Sequence, residues 1–124
     1  MRVRPALVAD IPAIIAVELS AGQLFAGTHM HWAVGEVSDP DELISPIEDG
    51  NVWVAEDGGK IAGYLCGEPL DGNLYIEEVS VSSAFQRRGV GRLLIEAAAV
   101  EAGRRGCLAL TLTTDRTLPW NAPY

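Results

Sequence analysis

Phe85-Gln86-Arg87-Arg88-Gly89-Val90-Gly91-Arg92 is the stretch around which the chain is organised. Ahead of it, Asn73-Leu74-Tyr75-Ile76-Glu77-Glu78-Val79-Ser80-Val81 is rich in β-branched and aromatic residues and reads as a strand. Behind it, Leu93-Leu94-Ile95-Glu96-Ala97-Ala98-Ala99-Val100-Glu101-Ala102 has high helix propensity and one apolar face. A glycine-bearing turn rich in arginine therefore joins a strand to a helix. Gly89 and Gly91 permit backbone conformations that a Cβ forbids, so several N–H groups can converge on one anion. The helix adds its unpaired first-turn N–H groups and the positive end of its dipole. A junction of this kind holds a pyrophosphate.

The two common phosphate loops are excluded. A Walker loop needs a Lys after its glycines, and none follows here. The dinucleotide fingerprint needs a third Gly at position 94, which is Leu94.

Upstream, Arg2-Val3-Arg4-Pro5-Ala6 reads as a short strand, with Pro5 at a sheet edge or at the strand's end. Asp10 before Ile11-Pro12 predicts an N-cap, and Ile11, Ile14, Ile15 and Leu19 follow at helical spacing. Residues 25–32, with their aromatic, His and Met side chains, fit either a pocket wall or an ordinary connector. Ser38-Asp39-Pro40 caps a second helix from Asp41 to about Asp49, with Leu43, Ile44 and Ile47 inward. The period then changes to two. Strands over 52–56, 61–68 and 74–81 are separated by Asp57-Gly58-Gly59-Lys60 and Asp71-Gly72-Asn73, which makes them successive antiparallel neighbours. The helix over 91–102 ends near Gly103 and Gly106, and 107–114 is the next strand. With a helix between them, strands 74–81 and 107–114 run parallel through a right-handed crossover. The fold class is α/β, an α+β mixed sheet in the order β-α-α-β-β-β-α-β, in one domain over 1–124.

At 124 residues and 48 % hydrophobic content, the chain has material for one real core. There is no run of 18 apolar residues and no signal-like start, so the expectation is a cytoplasmic protein without a membrane partner. The two cysteines, Cys66 and Cys107, read as buried thiols, and His29 and His31 lack partners at ligand spacing, so no metal is expected. The net charge of −8 is uneven: residues 5–86 hold one Lys and 14 acids, residues 87–124 six Arg and three acids. One short basic patch is not the broad basic face of a nucleic-acid binder. Arg87, Arg88 and Arg92 read as partners of a polyanionic ligand. The acids either favour a cationic substrate or simply keep the surface soluble, and the second is the simpler reading.

Gln86-Arg87-Arg88-Gly89-Val90-Gly91 matches Q/R-x-x-G-x-G/A. Together with Glu77-Glu78-Val79-Ser80-Val81, it resembles the acetyl-CoA site of the GNAT N-acetyltransferases. The likeness runs over 52–124 and includes Leu112-Thr113-Thr114 and Pro119-Trp120-Asn121-Ala122-Pro123-Tyr124; the approach Arg4-x-Ala6 to Asp10 is a looser echo. The resemblance implies acetyl-CoA as cosubstrate, with the backbone of Val79, Ser80 and Val81 pairing with the pantetheine arm as an added strand would. It places Gln86, Arg87, Arg88, Gly89, Val90, Gly91 and Arg92 at the pyrophosphate, and Asn121 among the cofactor contacts. A backbone N–H near Val79 would face the oxyanion. It implies transfer to a primary amine, on a small molecule or a protein, by direct attack without a covalent enzyme intermediate.

An amine attacks only after losing its proton, and an ammonium with a pKa near ~10 is almost fully charged at neutral pH, so a base is needed. Glu77 and Glu78 are the nearest acids, either of them a base or a solvated, ion-paired side chain. Strand alternation puts them on opposite faces, Glu77 with Tyr75, Val79 and Val81, and Glu78 with Ile76 and Ser80. In the family a Tyr on a later helix protonates the leaving thiolate. By that pattern Tyr124 matches the residue before it, and the last helix and two strands are missing. A fragment of a longer protein, a truncated chain completed by a partner, and a degenerate copy all fit, the first most plainly. The edge strand so exposed would call for a homodimer or another partner to cover it. The alternative function is a non-catalytic CoA-binding or interaction module of the same fold. Bulky residues at Gly89 or Gly91 would abolish CoA binding in an enzyme or sensor and leave an interaction module unaffected.

Overall fold

From position 52 onward, neighbouring apolar side chains take opposite faces of one sheet. In the computed structural model, which describes residues 1–22, 38–107 and 110–112, five strands lie side by side in sequence order. They are β1 (Arg2–Pro5), β2 (Val52–Asp57), β3 (Lys60–Leu70), β4 (Asn73–Val81) and β5 (Leu110–Leu112). Strands β1 to β4 are antiparallel neighbours, and β5 runs parallel to β4. Two-residue turns at Gly58-Gly59 and Asp71-Gly72, all four residues at positive φ, join the central hairpins. Helices α1 (Ile11–Gly22), α2 (Pro40–Glu48) and α3 (Val90–Arg104) complete the expected order and the expected mixed α/β class. The expectations for 25–32, 113–124, Asn121 and Tyr124 lie outside the described residues.

The helices cover both faces of the sheet. On one, α3 lays Val90, Leu94, Ala98 and Ala102, each one turn from the last, over Trp53, Ala55, Leu65, Ile76 and Val79. On the other, Ile11, Ile14 and Val17 of α1 meet Leu43 and Ile47 of α2 over Val52, Val54, Tyr64 and Cys66. Helix α2 begins as expected, with the Asp39 carboxylate accepting the Asp41 N–H at 2.9 Å and Pro40 in the first turn.

Two details of α1 differ from the reading of its sequence. Its buried stripe is Ile11, Ile14 and Val17, while Leu19 is 39 % exposed. Asp10 is not its N-cap, because a 3-10 turn (Val8–Asp10) starts the helical rotation earlier. The Asp10 carboxylate instead reaches back to the Leu7 N–H at 2.7 Å and takes a two-pronged contact from Arg4 at 2.8 and 3.1 Å. Cys66 is buried as expected, but Cys107 is only half-buried, since it follows the end of α3 rather than lying inside a strand.

Candidate functional site

Strand β4 ends at Val81, and a 3-10 turn (Ser83–Phe85) leads into the arginine-rich segment. The Gln86 side-chain amide donates to the Val81 carbonyl at 2.8 Å, which ties the turn to the strand's end. Arg87 and Gly89 both take positive φ, 65° and 74°, and Gly89 is the N-cap of α3. The first bond of that helix is donated by Leu93 to the Gly89 carbonyl at 3.1 Å. The N–H groups of Gly89, Val90, Gly91 and Arg92 therefore have no acceptor within their own helix, and the helix dipole adds positive potential there. Arg87, Arg88 and Arg92 are exposed around this end. The Arg88 guanidinium sits 5.5 Å from the centre of the Phe85 ring, and Arg92 pairs with Glu96 at 3.0 Å on the open helix surface.

Close packing holds this end of α3 against β4. A Cβ on Gly63 of β3 would stand 2.8 Å from the Ser80 carbonyl oxygen and 3.0 Å from Val90 Cγ1, so only glycine fits between them. Gly63 pairs with Val81, Tyr64 with Ser80, Leu65 with Val79 and Cys66 with Glu78. The side chains of Val79 and Val81 are core under α3. On the other flank of β4, the described pairing with β5 runs from Leu74 to Ile76.

The two glutamates do not alternate as expected. Cys66 faces Glu78 but Gly67 faces Ile76, so Glu77 is the extra residue of a β-bulge. The phase of β4 flips there: Leu74 and Ile76 share the α3 face with Val79 and Val81. Glu77 and Glu78 consequently line the same pocket, on the α1 and α2 side, with Ser38, Glu42, Leu43, Pro46, Tyr64 and Cys66. The pocket is about 220 Å³. Glu78 is half-buried, and the Ser80 hydroxyl donates to its Oε1 at 3.1 Å.

A hydrogen-bonded group that the sequence did not reveal stands behind the pocket. Glu18 of α1 accepts the Ser38 N–H at 3.0 Å, the Ser38 hydroxyl at 2.8 Å and the Tyr64 hydroxyl at 2.9 Å. These three residues come from α1, the segment before α2 and β3 and share no local spacing, so no motif could have shown them. Burial, with Glu78 and Glu18 nearby, pushes the Tyr64 phenol up, which keeps it protonated. The same causes, burial first and then the surrounding glutamates, push the Cys66 thiol up to about 12. A thiol so held is not a thiolate at neutral pH and makes a poor nucleophile.

The described residues thus place two features along β4: a turn with open N–H groups and exposed arginines at its end, and a pocket lined by carboxylates. Among the described residues no group of three or more His, Cys, Asp or Glu is placed to hold a metal ion. No helix among them is long and apolar enough to cross a membrane.

Several solved structures share this architecture. PaiA N-acetyltransferase from Thermoplasma acidophilum, in complex with coenzyme A, is similar at a TM-score of 0.82 and 14 % identity, covering 98 % of this chain and 84 % of that one. Ribosomal-protein-alanine N-acetyltransferase from Brucella melitensis gives 0.70 and 26 %, covering 90 % and 73 %. An aminoglycoside acetyltransferase from an uncultured soil metagenomic sample gives 0.73 and 21 %, covering 99 % and 87 %. The model of the acetyltransferase (GNAT) family matches residues 23–121. With most of its length matched, the chain belongs to the acetyltransferase (GNAT) family.

Proposed function

We propose that this chain transfers the acetyl group of acetyl-CoA to a primary amine, on a small molecule or a protein, by direct attack. The observation that carries the reading is the open end of α3, where four N–H groups lack an acceptor in their own helix and three nearby arginines are exposed, next to the end of β4. The coenzyme A in the PaiA complex supports the same cosubstrate here. In this reading Arg87, Arg88, Gly89, Val90, Gly91 and Arg92 hold the pyrophosphate, and Gln86 fixes the turn through Val81. Backbone groups of Val79, Ser80 and Val81 receive the pantetheine, Asn121 contributes a further contact, and an N–H near Val79 stabilises the oxyanion.

On the pocket side, Glu78 is the general base. The Ser80 hydroxyl orients its carboxylate, and partial burial holds it beside the amine. Glu77 adds negative charge to the same pocket through the bulge. The ammonium loses a proton to Glu78, the lone pair so freed attacks the thioester carbon, and as the C–S bond breaks the nitrogen sheds its surplus proton while the CoA thiolate takes one up and leaves as the thiol. A protonated Cys66 supports direct transfer over a covalent relay. Thiol release from acetyl-CoA, measured against a panel of small amines and amino-terminal peptides, tests the reading. Glu78→Gln lowers kcat about a hundredfold at neutral pH, with the loss shrinking as pH approaches the amine's own pKa. Amine-independent thiol release, or unchanged kcat in Glu78→Gln, contradicts it.

A further inference from the structure

The short segment from Ser82 to Phe85, between β4 and the arginine-rich turn, is held from outside the sheet. Ser82 donates its N–H to the Ala62 carbonyl at 2.8 Å, and Phe85 donates to the Ser82 carbonyl at 2.9 Å. The Ser83 N–H, which opens the 3-10 turn, instead donates to the Ser20 hydroxyl of α1 at 2.9 Å. The Ser20 and Ser83 hydroxyls share a second hydrogen bond at 2.8 Å, and the Ser82 hydroxyl lies 3.3 Å from Ser20. Ser82 does not cap its own turn with its side chain, so the cap comes from a helix far earlier in the chain. Helix α1 does not depend on this contact. Ile11, Ile14 and Val17 bury its inner face, and Glu18 is bonded to Ser38 and Tyr64. Ser20 therefore ties the segment to a helix that is already seated.

We propose that Ser20 is a positioning residue for the cofactor. It fixes the segment between the end of β4 and the arginine-rich turn, so that both meet one acetyl-CoA molecule in register. The proposal rests on the acetyl-CoA reading given above. A ligand that reaches from Val79 to Gly91 feels the spacing of its two anchors, because binding at one sets how well the other is presented. Gln86 ties the turn to Val81 within this region, and Ser20 adds a tie to α1.

Calorimetric titration of acetyl-CoA into wild type, Ser20→Ala and Ser20→Thr tests this. Alanine has the highest helix propensity, so the first substitution does not weaken α1 itself. Its expected cost is about fivefold in acetyl-CoA affinity, the scale of one hydrogen bond, with the amine KM unchanged. Ser20→Thr keeps the hydroxyl and is expected to bind as wild type does. A purely structural role would lower the melting temperature yet leave the affinity unchanged, since a loss of that size keeps nearly all chains folded. Ser83→Pro removes both the N–H and the hydroxyl that meet Ser20, with a residue suited to the first position of a helical turn. In that background Ser20→Ala is expected to cost little further affinity, because the two residues act through one contact. Three outcomes overturn the proposal and leave the acetyl-CoA reading standing: Ser20→Ala binding as tightly as wild type, Ser20→Thr binding no better than Ser20→Ala, or an undiminished loss in the Ser83→Pro background. A folded wild-type chain that binds no acetyl-CoA overturns both.

Discussion

The side-chain amide of Gln86 donates a 2.8 Å hydrogen bond to the carbonyl of Val81, the last residue of β4. That bond spans the two parts of the proposed cofactor site, the strand end and the turn, and it involves no ligand atom. Gln86→Ala leaves the Val81 carbonyl without this partner and frees the turn to move. The expected result is an acetyl-CoA affinity about tenfold lower, with the amine KM little changed. Calorimetric titration and initial-rate kinetics measure the two.

Gly63 lies beneath the same junction. A methyl group there meets the Ser80 carbonyl at 2.8 Å on one side and the buried Val90 side chain at 3.0 Å on the other, which leaves little room to yield. Gly63→Ala should destabilise the fold by about 2 kcal/mol, as overpacking does, and weaken acetyl-CoA binding by lifting the start of α3. Chemical denaturation of the two proteins checks the first effect. Equal midpoints would show that α3 is not seated as closely as described.

Arg4, Asp10 and Glu56 give the molecule an acid-sensitive link between β1, the 3-10 turn before α1, and β2. The Arg4 guanidinium holds the Asp10 carboxyl below its ordinary value of 3.8, against the opposing effect of burial, and the Leu7 N–H helps. A carboxyl with a lower pKa in the folded state than in the unfolded one stabilises the fold fully above the unfolded value. That contribution declines as pH falls below about 4 and is gone once pH passes the folded value. Asp10→Asn should cost about 2 kcal/mol at neutral pH and flatten the acid limb of the stability profile. Denaturation at stepped pH values reads both effects.

Much of this architecture was legible because local chemistry and fold agree. Asp57-Gly58-Gly59-Lys60 and Asp71-Gly72 are turn sequences, and all of their central residues adopt the positive φ such turns need. The strand-to-helix junction was legible for the same reason, since Gly89 takes the left-handed conformation that opens α3. Helix α1 was harder: Ile11, Ile14, Ile15, Val17 and Leu19 offer more than one apolar stripe, and packing against β2 and β3 selects Val17 over Leu19. The bulge at Glu77 defeated strict alternation, although the sequence carried its mark. Apolar residues sit at even positions, Leu74 and Ile76, and then at odd ones, Val79 and Val81, a change of phase that an extra residue explains. The Glu18, Ser38 and Tyr64 group left no such mark, because it exists only once three distant parts of the chain have packed together.

The central claim is that the turn before α3 is a pyrophosphate site. Its most direct measurement is calorimetric titration of acetyl-CoA into this chain and into Arg88→Glu. Arg88 is exposed beside Phe85, so reversing its charge leaves the core intact while placing a carboxylate against the phosphates. The account predicts saturable binding to the wild-type chain, weakened at least about tenfold by the substitution. A folded wild-type chain that binds no acetyl-CoA, or an Arg88→Glu variant that binds it equally well, would contradict it.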